Sequence, residues 1–320
     1  MNMNMERALN GNRAAVESKS LTKQLFGSRS WPIYLMILPG LLFFLVFRYI
    51  PMGGLVLAFK DYDPITGFAD SPWVGLANFR ELFTDADFWI IMRNTFVLSA
   101  INLFLFFPIP IVVALLLNEV RKPWIKKIVQ TTIYIPHFVS WVVVAGITVI
   151  LFATQDGGIN MFLAEHGFER FELLTDPSYF RALFLSQNIW KEMGWNSILF
   201  LAALAAVDPG LYEAAYVDGA GRWRQMWHIT LPSLRNIAVV LFILRIGHVM
   251  DVGFEQILLL QNPLNIGVSD VFDTYVYRNG VQQGEFSYST AVGLFKSVVG
   301  LVLVMTFNRL AKKFGEEGVY

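Results

Sequence analysis

An all-α, polytopic membrane protein with six transmembrane helices is the fold the sequence predicts, on three observations. Hydrophobic residues make up 55% of the chain and charged residues 16%, where ordinary soluble domains carry roughly 25% charged residues. The deficit is concentrated in six apolar runs, at about 32–56, 93–117, 129–153, 182–206, 236–260 and 289–309. Each is long enough for a hydrocarbon core, which needs about 20 mostly apolar residues. None alternates as a strand would, so helices must satisfy the backbone within the bilayer. Basic residues, finally, fall on alternate sides of the runs: fifteen on one set of connecting segments and six on the other.

Residues 1–29 are polar and precede the first run, so a cleavable signal peptide is not expected there. Few of them could anchor the segment, and a disordered polar tail is predicted. A single transmembrane domain follows over 30–315. Pro39, Pro108, Pro110 and Pro136 interrupt several runs, which membrane helices tolerate better than soluble ones. The richer basic set comprises the tail (Arg7, Arg13, Lys19, Lys23, Arg29), Arg121, Lys122, Lys126 and Lys127, then Arg222, Arg224 and Arg235, and Arg309, Lys312 and Lys313 at the end. The poorer set holds Lys60, Arg80, Arg93, Arg170, Arg181 and Arg278. Lys and Arg are retained on the cytoplasmic side, so both termini and the segment 208–232 are expected inside. The outer loops, at about 60–90, 154–181 and 261–288, are long enough to fold into small caps. The first is rich in acids (Asp61, Asp63, Asp85, Asp87) and aromatics (Phe68, Trp73, Phe79, Phe83, Phe88, Trp89). Packing at the membrane interface accounts for such aromatics; a docking surface for an external protein is the sharper reading.

Several chemistries are excluded. There is no Cys, hence no disulfide and no thiolate site, and with only four His a metal centre is not expected. Zero net charge gives no sign of nucleic-acid binding. No G-x-x-x-x-G-K-[ST] loop occurs, so the chain is not expected to hydrolyse ATP. No catalytic residue is predicted.

Between the fourth and fifth runs lies YEAAYVDGAGRWRQMWHITLP, Tyr212 to Pro232. Leu211 to Asp218 reads as a short helix, with Pro209 suited to its start, Asp208 as its cap, and Gly219 and Gly221 ending it. Ala214 and Ala215 are small enough for another backbone to come close. Leu211, Tyr212, Ala215 and Tyr216 share a face by their spacing and are expected to make an apolar plug toward a partner, while Glu213 and Asp218 can accept hydrogen bonds. Trp223, Met226 and Trp227 fall on one side of a following stretch that suits a helix lying at the interface. Glu213-Ala214-Ala215, three residues, Gly219, nine residues, then Ile229, Leu231 and Pro232 resembles the EAA loop by which permease subunits of binding-protein-dependent ABC importers grip their ATPases. Every fixed position is filled.

The likeness extends past that loop. The stretches 50–64 (IPMGGLVLAFKDYDP), 75–83 (GLANFRELF), 136–147 (PHFVSWVVVAGI) and 273–301 (DTYVYRNGVQQGEFSYSTAVGLFKSVVGL) resemble the oligosaccharide and polysaccharide branch, relatives of the maltose-type importers. Within it the chain looks most like the first permease subunit of an alginate-oligosaccharide importer. The resemblance implies the type I ABC importer permease fold in a bacterial inner membrane. It also implies a second, different permease subunit, two ATPases that carry ATP and Mg, an extracytoplasmic sugar-binding protein and an oligosaccharide substrate, uronates such as alginate among the candidates.

Ionisable residues within a span are costly and mark pathways by default. Asn188, Lys191 and Trp195 share a face of the fourth run. In the fifth, Arg245, His248, Asp251 and Glu255 follow helical spacing. Polar groups among indole rings suit a sugar, with hydroxyls at its rim and C–H bonds on its faces. Asn188, Lys191, Trp195, Arg245, His248 and Asp251 are thus the pathway candidates. Structural roles compete: Lys191 can pair with Glu192, His248 can make a structural hydrogen bond, and Asp251 approaches the outer end of its helix. His137, which shares a face with Ser140 and Trp141, can line the path or satisfy backbone freed by Pro136. An ion-coupled secondary sugar carrier would use the same groups but leaves the EAA segment unexplained, and a non-transporting scaffold or sensor would use the outer caps and inner loop to relay binding without solute flux.

Overall fold

The computed structural model describes residues 31–313 of the chain, so the predicted tail 1–29 lies outside the described residues. Three helices are long and apolar enough to cross a membrane unbroken: Trp31–Phe59, Ala86–Asn118 and Phe286–Lys313. Three more spans are bent pairs. Pro123–Phe138 meets Trp141–Phe152 at 95°, Pro177–Ala205 meets Pro209–Val217 at 68°, and Arg222–Ser233 meets Arg235–Gly247 at 51°. Counting each pair once gives the six expected. Among the described residues no strand forms beyond an isolated bridge between Lys60 and Trp73.

The described residues divide into two compact units, 31–56 and 57–313. In the first, the helix Trp31–Phe44 passes through Pro39 and continues as a π-helical turn, Leu45–Tyr49. The second unit holds the rest, and its interruptions have local causes. In the second span the helix Ala86–Ala100 widens to a π-helical turn at Ile101–Phe106 before Pro108. Pro108 has no N–H and its ring would press on the carbonyl one turn back; the wider turn lets Phe107 donate to Asn102 O at 3.1 Å instead. In the third span Pro136 sits in a 3-10 turn, Ile135–Phe138, and Ser140 restarts the helix by accepting from Val143 N. The fourth span starts at Asp176, which accepts from Ser178 N at 2.8 Å, with Pro177 in the first helical position.

The fifth run departs from expectation. It is not one helix through residue 260: Arg235–Gly247 stops, and Phe254–Leu260 begins after Gly253, which is left-handed at φ 49°. Arg245, His248, Asp251 and Glu255 therefore do not form a stripe on one helix. Glycine at 253 makes the reversal accessible, since a Cβ would strain that backbone.

Packing gathers around the fourth span. Phe180, Leu183 and Phe184 lie in a cluster with Leu98, Ala145 and Val252, and Phe200 and Leu204 in another with Ala114 and Leu234. A third cluster, with Phe88, Ile91, Phe272 and Val292, joins the second and sixth spans. Gly194 is the closest approach: a Cβ there would stand 2.1 Å from the backbone oxygen of Ile133 in the third span. Small residues allow membrane helices to meet in this way.

The loops opposite the 208–232 segment form the predicted caps. Short helices Gly67–Asp70, Ala77–Thr84, Gly158–Glu165, Ile266–Ser269 and Phe272–Val276 build them. Tyr62 N donates to Ser287 Oγ at 2.8 Å, and Asn262 Nδ2 to Leu174 O at 2.9 Å. Asp85 caps its helix by accepting from Asp87 N, and its other oxygen accepts from Tyr275 at 2.6 Å and Tyr288 at 3.0 Å. Burial alone would raise the Asp85 carboxyl, but those hydroxyl and amide donors outweigh it and hold it below the usual range. Burial and the Asp85 contact push the Tyr275 phenol up to about 12, so it remains a donor at neutral pH.

Two outcomes follow from the packing and the caps. Gly194→Ala should lower the stability of the purified protein by about 1–3 kcal/mol through overpacking, read as a drop in melting temperature. Gly146→Ala, inside a helix where a Cβ meets nothing within 4 Å, should instead hold or raise stability, by up to about 1 kcal/mol of helix propensity. Because the native Asp85 pKa is depressed, its contribution is present above the ordinary value of about 3.9 and is lost as pH falls through the native value. Wild-type stability should therefore fall over that acid window, and Asp85→Asn should flatten the fall in a pH series of melting curves.

Candidate functional site

The 208–232 segment folds as a braced hairpin. Asp208 accepts from Gly210 N at 2.9 Å and starts the helix Pro209–Val217. Gly219 is left-handed, φ 76°. Ala220 N reaches Ala215 O at 2.8 Å and Gly219 N reaches Tyr216 O at 3.0 Å, the paired bonds that close a helix on a left-handed glycine. The chain then forms Arg222–Gln225 and a π-helical turn, Met226–Thr230. Gln225 Nε2 donates to Ala220 O at 3.0 Å, and the Tyr212 and Thr230 hydroxyls lie 3.1 Å apart. Tyr212 and Ala215 thus face the hairpin's own second arm. Leu211, Tyr216, Val217, Trp223 and Trp227 are exposed, so the apolar outer face is made by a different set than the expected four. Glu213, Ala214 and Asp218 are exposed, while Ile229 and Leu231 are half-buried beside exposed Pro232. Arg222 lies 3.9 Å from Glu119 of the second span's end.

Lys191 stands under the break in the third span. The residue is 6% exposed, and its ammonium donates to His137 O at 2.5 Å and Val139 O at 2.7 Å. Glu192 Oε1 is 3.7 Å away, and the Trp141 ring 5.5 Å. Glu192 Oε2 meets His137 Nδ1 at 2.9 Å. The His137 ring stacks on Trp195, centroids 4.2 Å apart and planes 3° from parallel. Asn188 belongs to a buried amide chain instead. Thr148 accepts from Gln187 at 2.8 Å, Gln187 from Gln256 at 2.9 Å, and Gln256 from Asn188 at 3.1 Å. The chain ties the third and fourth spans to the Phe254–Leu260 segment.

The fifth span's candidates divide at Gly247. Arg245 lies over the Phe106 ring at 4.7 Å and lines cavities of about 290 Å³ and 80 Å³. His248 Nδ1 lies 3.3 Å from Asp251 Oδ2, and Lys296 of the sixth span meets Asp251 Oδ1 at 2.5 Å. Lys296 also pairs with Asp273. These four line a groove of about 1000 Å³ between the fifth and sixth spans, together with apolar side chains such as Ile243 and Val304 and the polar Ser297, Asn308 and Arg309. The arrangement offers no nucleophile poised beside a base. Among the described residues no cluster of His, Asp and Glu could hold a metal.

Residues 106–315 match the family described as binding-protein-dependent transport system inner membrane component. The chain belongs to this family. It is 56% identical to the polygalacturonan/rhamnogalacturonan transport system permease protein YteP of Bacillus subtilis strain 168, over 90% of each chain. It is 53% identical to Protein LplB of the same organism, over 90% of this chain and 91% of that one. A chain of a bacterial alginate ABC transporter, solved with an alginate pentasaccharide-bound periplasmic protein, superposes with a TM-score of 0.84 at 41% identity. That match covers 93% of this chain and 99% of the other. This permease therefore has the ABC importer permease fold and belongs with sugar transporters. The ion-coupled carrier is set aside.

Three side-chain arrangements in the permease escaped the sequence reading, which gives Lys296 as a snorkelling or partner-facing residue and Gln187 as a polar residue of the fourth run. Lys296 bridges Asp251 and Asp273, which are 22 residues apart in sequence and share no motif. Gln187 and Gln256 make the amide chain, and only their presence in apolar runs could have flagged them. Asn102 sits in the π-helical turn with its amide oxygen buried and unpartnered; the nearby Pro108 was the available signal. Lys191→Met tests the break. It strands two carbonyls, at about 1–3 kcal/mol each, so the melting temperature should fall clearly with transport. A drop in transport at unchanged melting temperature would place Lys191 on the path rather than under the helix.

Proposed function

We propose that this permease forms half of the translocation path of an ATP-driven importer for acidic oligosaccharides, and that the 208–232 hairpin carries ATPase motion to the spans. The observation that supports this best is the hairpin itself: a short helix, capped by Asp208 and closed on Gly219, with small and apolar side chains outward. A rigid stub of that kind can seat in a groove of a soluble engine. The partners in this reading are a second homologous permease, two ATPases that bind ATP and Mg, and an extracytoplasmic sugar-binding protein. Both termini and the hairpin lie in the cytoplasm, as the basic residues indicate. Uronates are the favoured substrate class because relatives are named for polygalacturonan and alginate.

The path uses Trp195, Arg245, His248 and Asp251 at exposed or half-exposed positions. Lys191 and Asn188 support it from within. Transport needs no chemistry on this chain; binding and hydrolysis of ATP elsewhere shift it between inward- and outward-open states.

Gly219 provides the test. A Cβ at this position meets nothing within 4 Å in the chain, so only backbone strain, roughly 1–2 kcal/mol, opposes a side chain from within. Gly219→Asn, which tolerates the left-handed region, should keep membrane abundance. Gly219→Val should retain insertion yet lower uptake of an oligogalacturonate by about tenfold or more, with weaker co-purification of the ATPase. Normal uptake by the valine variant would remove the coupling role.

A further inference from the structure

Arg245 is a cation in the membrane interior without an anion. It lies ten residues beyond Arg235, the first residue of its helix, about 15 Å along the axis and near the middle of a core about 30 Å thick. Its guanidinium is half-buried over Phe106. Among the described residues it donates no hydrogen bond, and no carboxylate lies within 4.0 Å. Glu192 acts on it only from farther away, and that carboxylate is engaged by His137 and Lys191. Five donors in a planar fork are thus available where an unpaired charge is expensive.

Beside the same cavity lies a second unsatisfied group. Asn102 Oδ1 is buried without a partner, and residue Asn102 is among those that line the 290 Å³ cavity, with Ser99, Arg245, His248 and Asp251; a turn of its side chain would bring the oxygen to the cavity. Asn102 and Phe106 both lie in the π-helical turn of the second span, the kind of distortion found at functional sites. The volume is at the small end of the roughly 300–1,000 Å³ usual for ligand pockets. The Ser99 hydroxyl is occupied by Val249 O. Asp251 would repel an anion, but Lys296 meets it at 2.5 Å from the neighbouring groove.

We propose that Arg245 and Asn102 form a specificity site for one uronate ring, Arg245 binding the carboxylate and Asn102 accepting from a sugar hydroxyl. The proposal rests on the importer reading and deepens it. A planar guanidinium matches a carboxylate with two parallel hydrogen bonds, and a lone amide oxygen matches a hydroxyl. A neutral ring satisfies only the second, so the site selects for charge at mid-membrane, independently of the binding protein outside.

The test uses the whole complex, with its binding protein, in proteoliposomes and labelled trigalacturonate as the probe. R245Q should lower uptake by about tenfold or more. Assembly of the complex and its melting temperature should stay near wild type. R245K, which keeps the charge but loses the fork, should recover part of the uptake, and N102L should reduce it at unchanged stability. Undiminished uptake in R245Q or N102L overturns the site. So does a joint loss of uptake and assembly, which would assign Arg245 to a structural ion pair with the partner permease. Failure of the importer reading is a separate result: the wild-type complex would then show no ATP-driven uptake of any oligosaccharide.

Discussion

The donation from Lys191 to the carbonyls of His137 and Val139 is the contact on which the middle of this permease depends. Pro136 and the 95° bend leave carbonyls without helical partners, and lipid offers none. An ammonium has three donors and no acceptor, so it can serve two carbonyls and still face Glu192. The cation is made tolerable by the same geometry: Glu192, itself steadied by His137, lies 3.7 Å away. Break, lysine, acid and histidine form one unit, and the stacked Trp195–His137 pair presents its partly exposed edge. A charge that serves as a backbone donor is not free to bind a substrate, which separates Lys191 from Arg245 although both sit in apolar helices.

The other interruptions are resolved by different means. The second span absorbs Pro108 by widening to a π-helical turn, which leaves Asn102 Oδ1 unpartnered. The fifth span breaks at Gly247–Gly253, and the turn is held by His248, Asp251 and Lys296. Lys296 links the break to Asp273 of the cap and to its own span, three elements through one ammonium. A groove bordered by such a bridge can open only if that bridge shifts. Helix breaks thus concentrate the polar groups of the membrane region at a few levels, and the apolar clusters around Phe184, Phe200 and Phe272 fill the space between.

Much of this was legible in the sequence because it rests on local rules. Apolar length located five of the six spans to within about seven residues at each end, and Asp208, Pro209 and Gly219 carry the signals that start and stop the hairpin helix. The fifth span was misread because hydropathy does not register a glycine break: residues 236–260 are apolar enough to cross, yet Gly253 turns the chain. The apolar face of the hairpin was misplaced because spacing along one helix cannot say which side its second arm will cover. Tyr212 turned inward to Thr230. Pairings such as Lys296 with Asp251, or Asn188 with Gln256, depend on which helices become neighbours, information that no window of the sequence contains.

These features also explain how a soft, broken helix set can move as a body. The hairpin is stiffened by its own bonds, Gln225 to Ala220 and Tyr212 to Thr230, so a push on its exposed face is not absorbed in the loop. Leu234, buried immediately beyond the 231–233 turn, packs with Phe200, Leu204 and Ala114, and Gly194 locks the fourth span against the third. In the proposed coupling, displacement of the hairpin would be handed to the second, fourth and fifth spans together. The backbone is interrupted between Gly247 and Gly253, where side chains of His248, Asp251 and Lys296 bridge the turn, and Arg245 lies two residues before this break. A substrate carboxylate held there would sit beside this break, so that binding would act next to the charged groups that hold the turn.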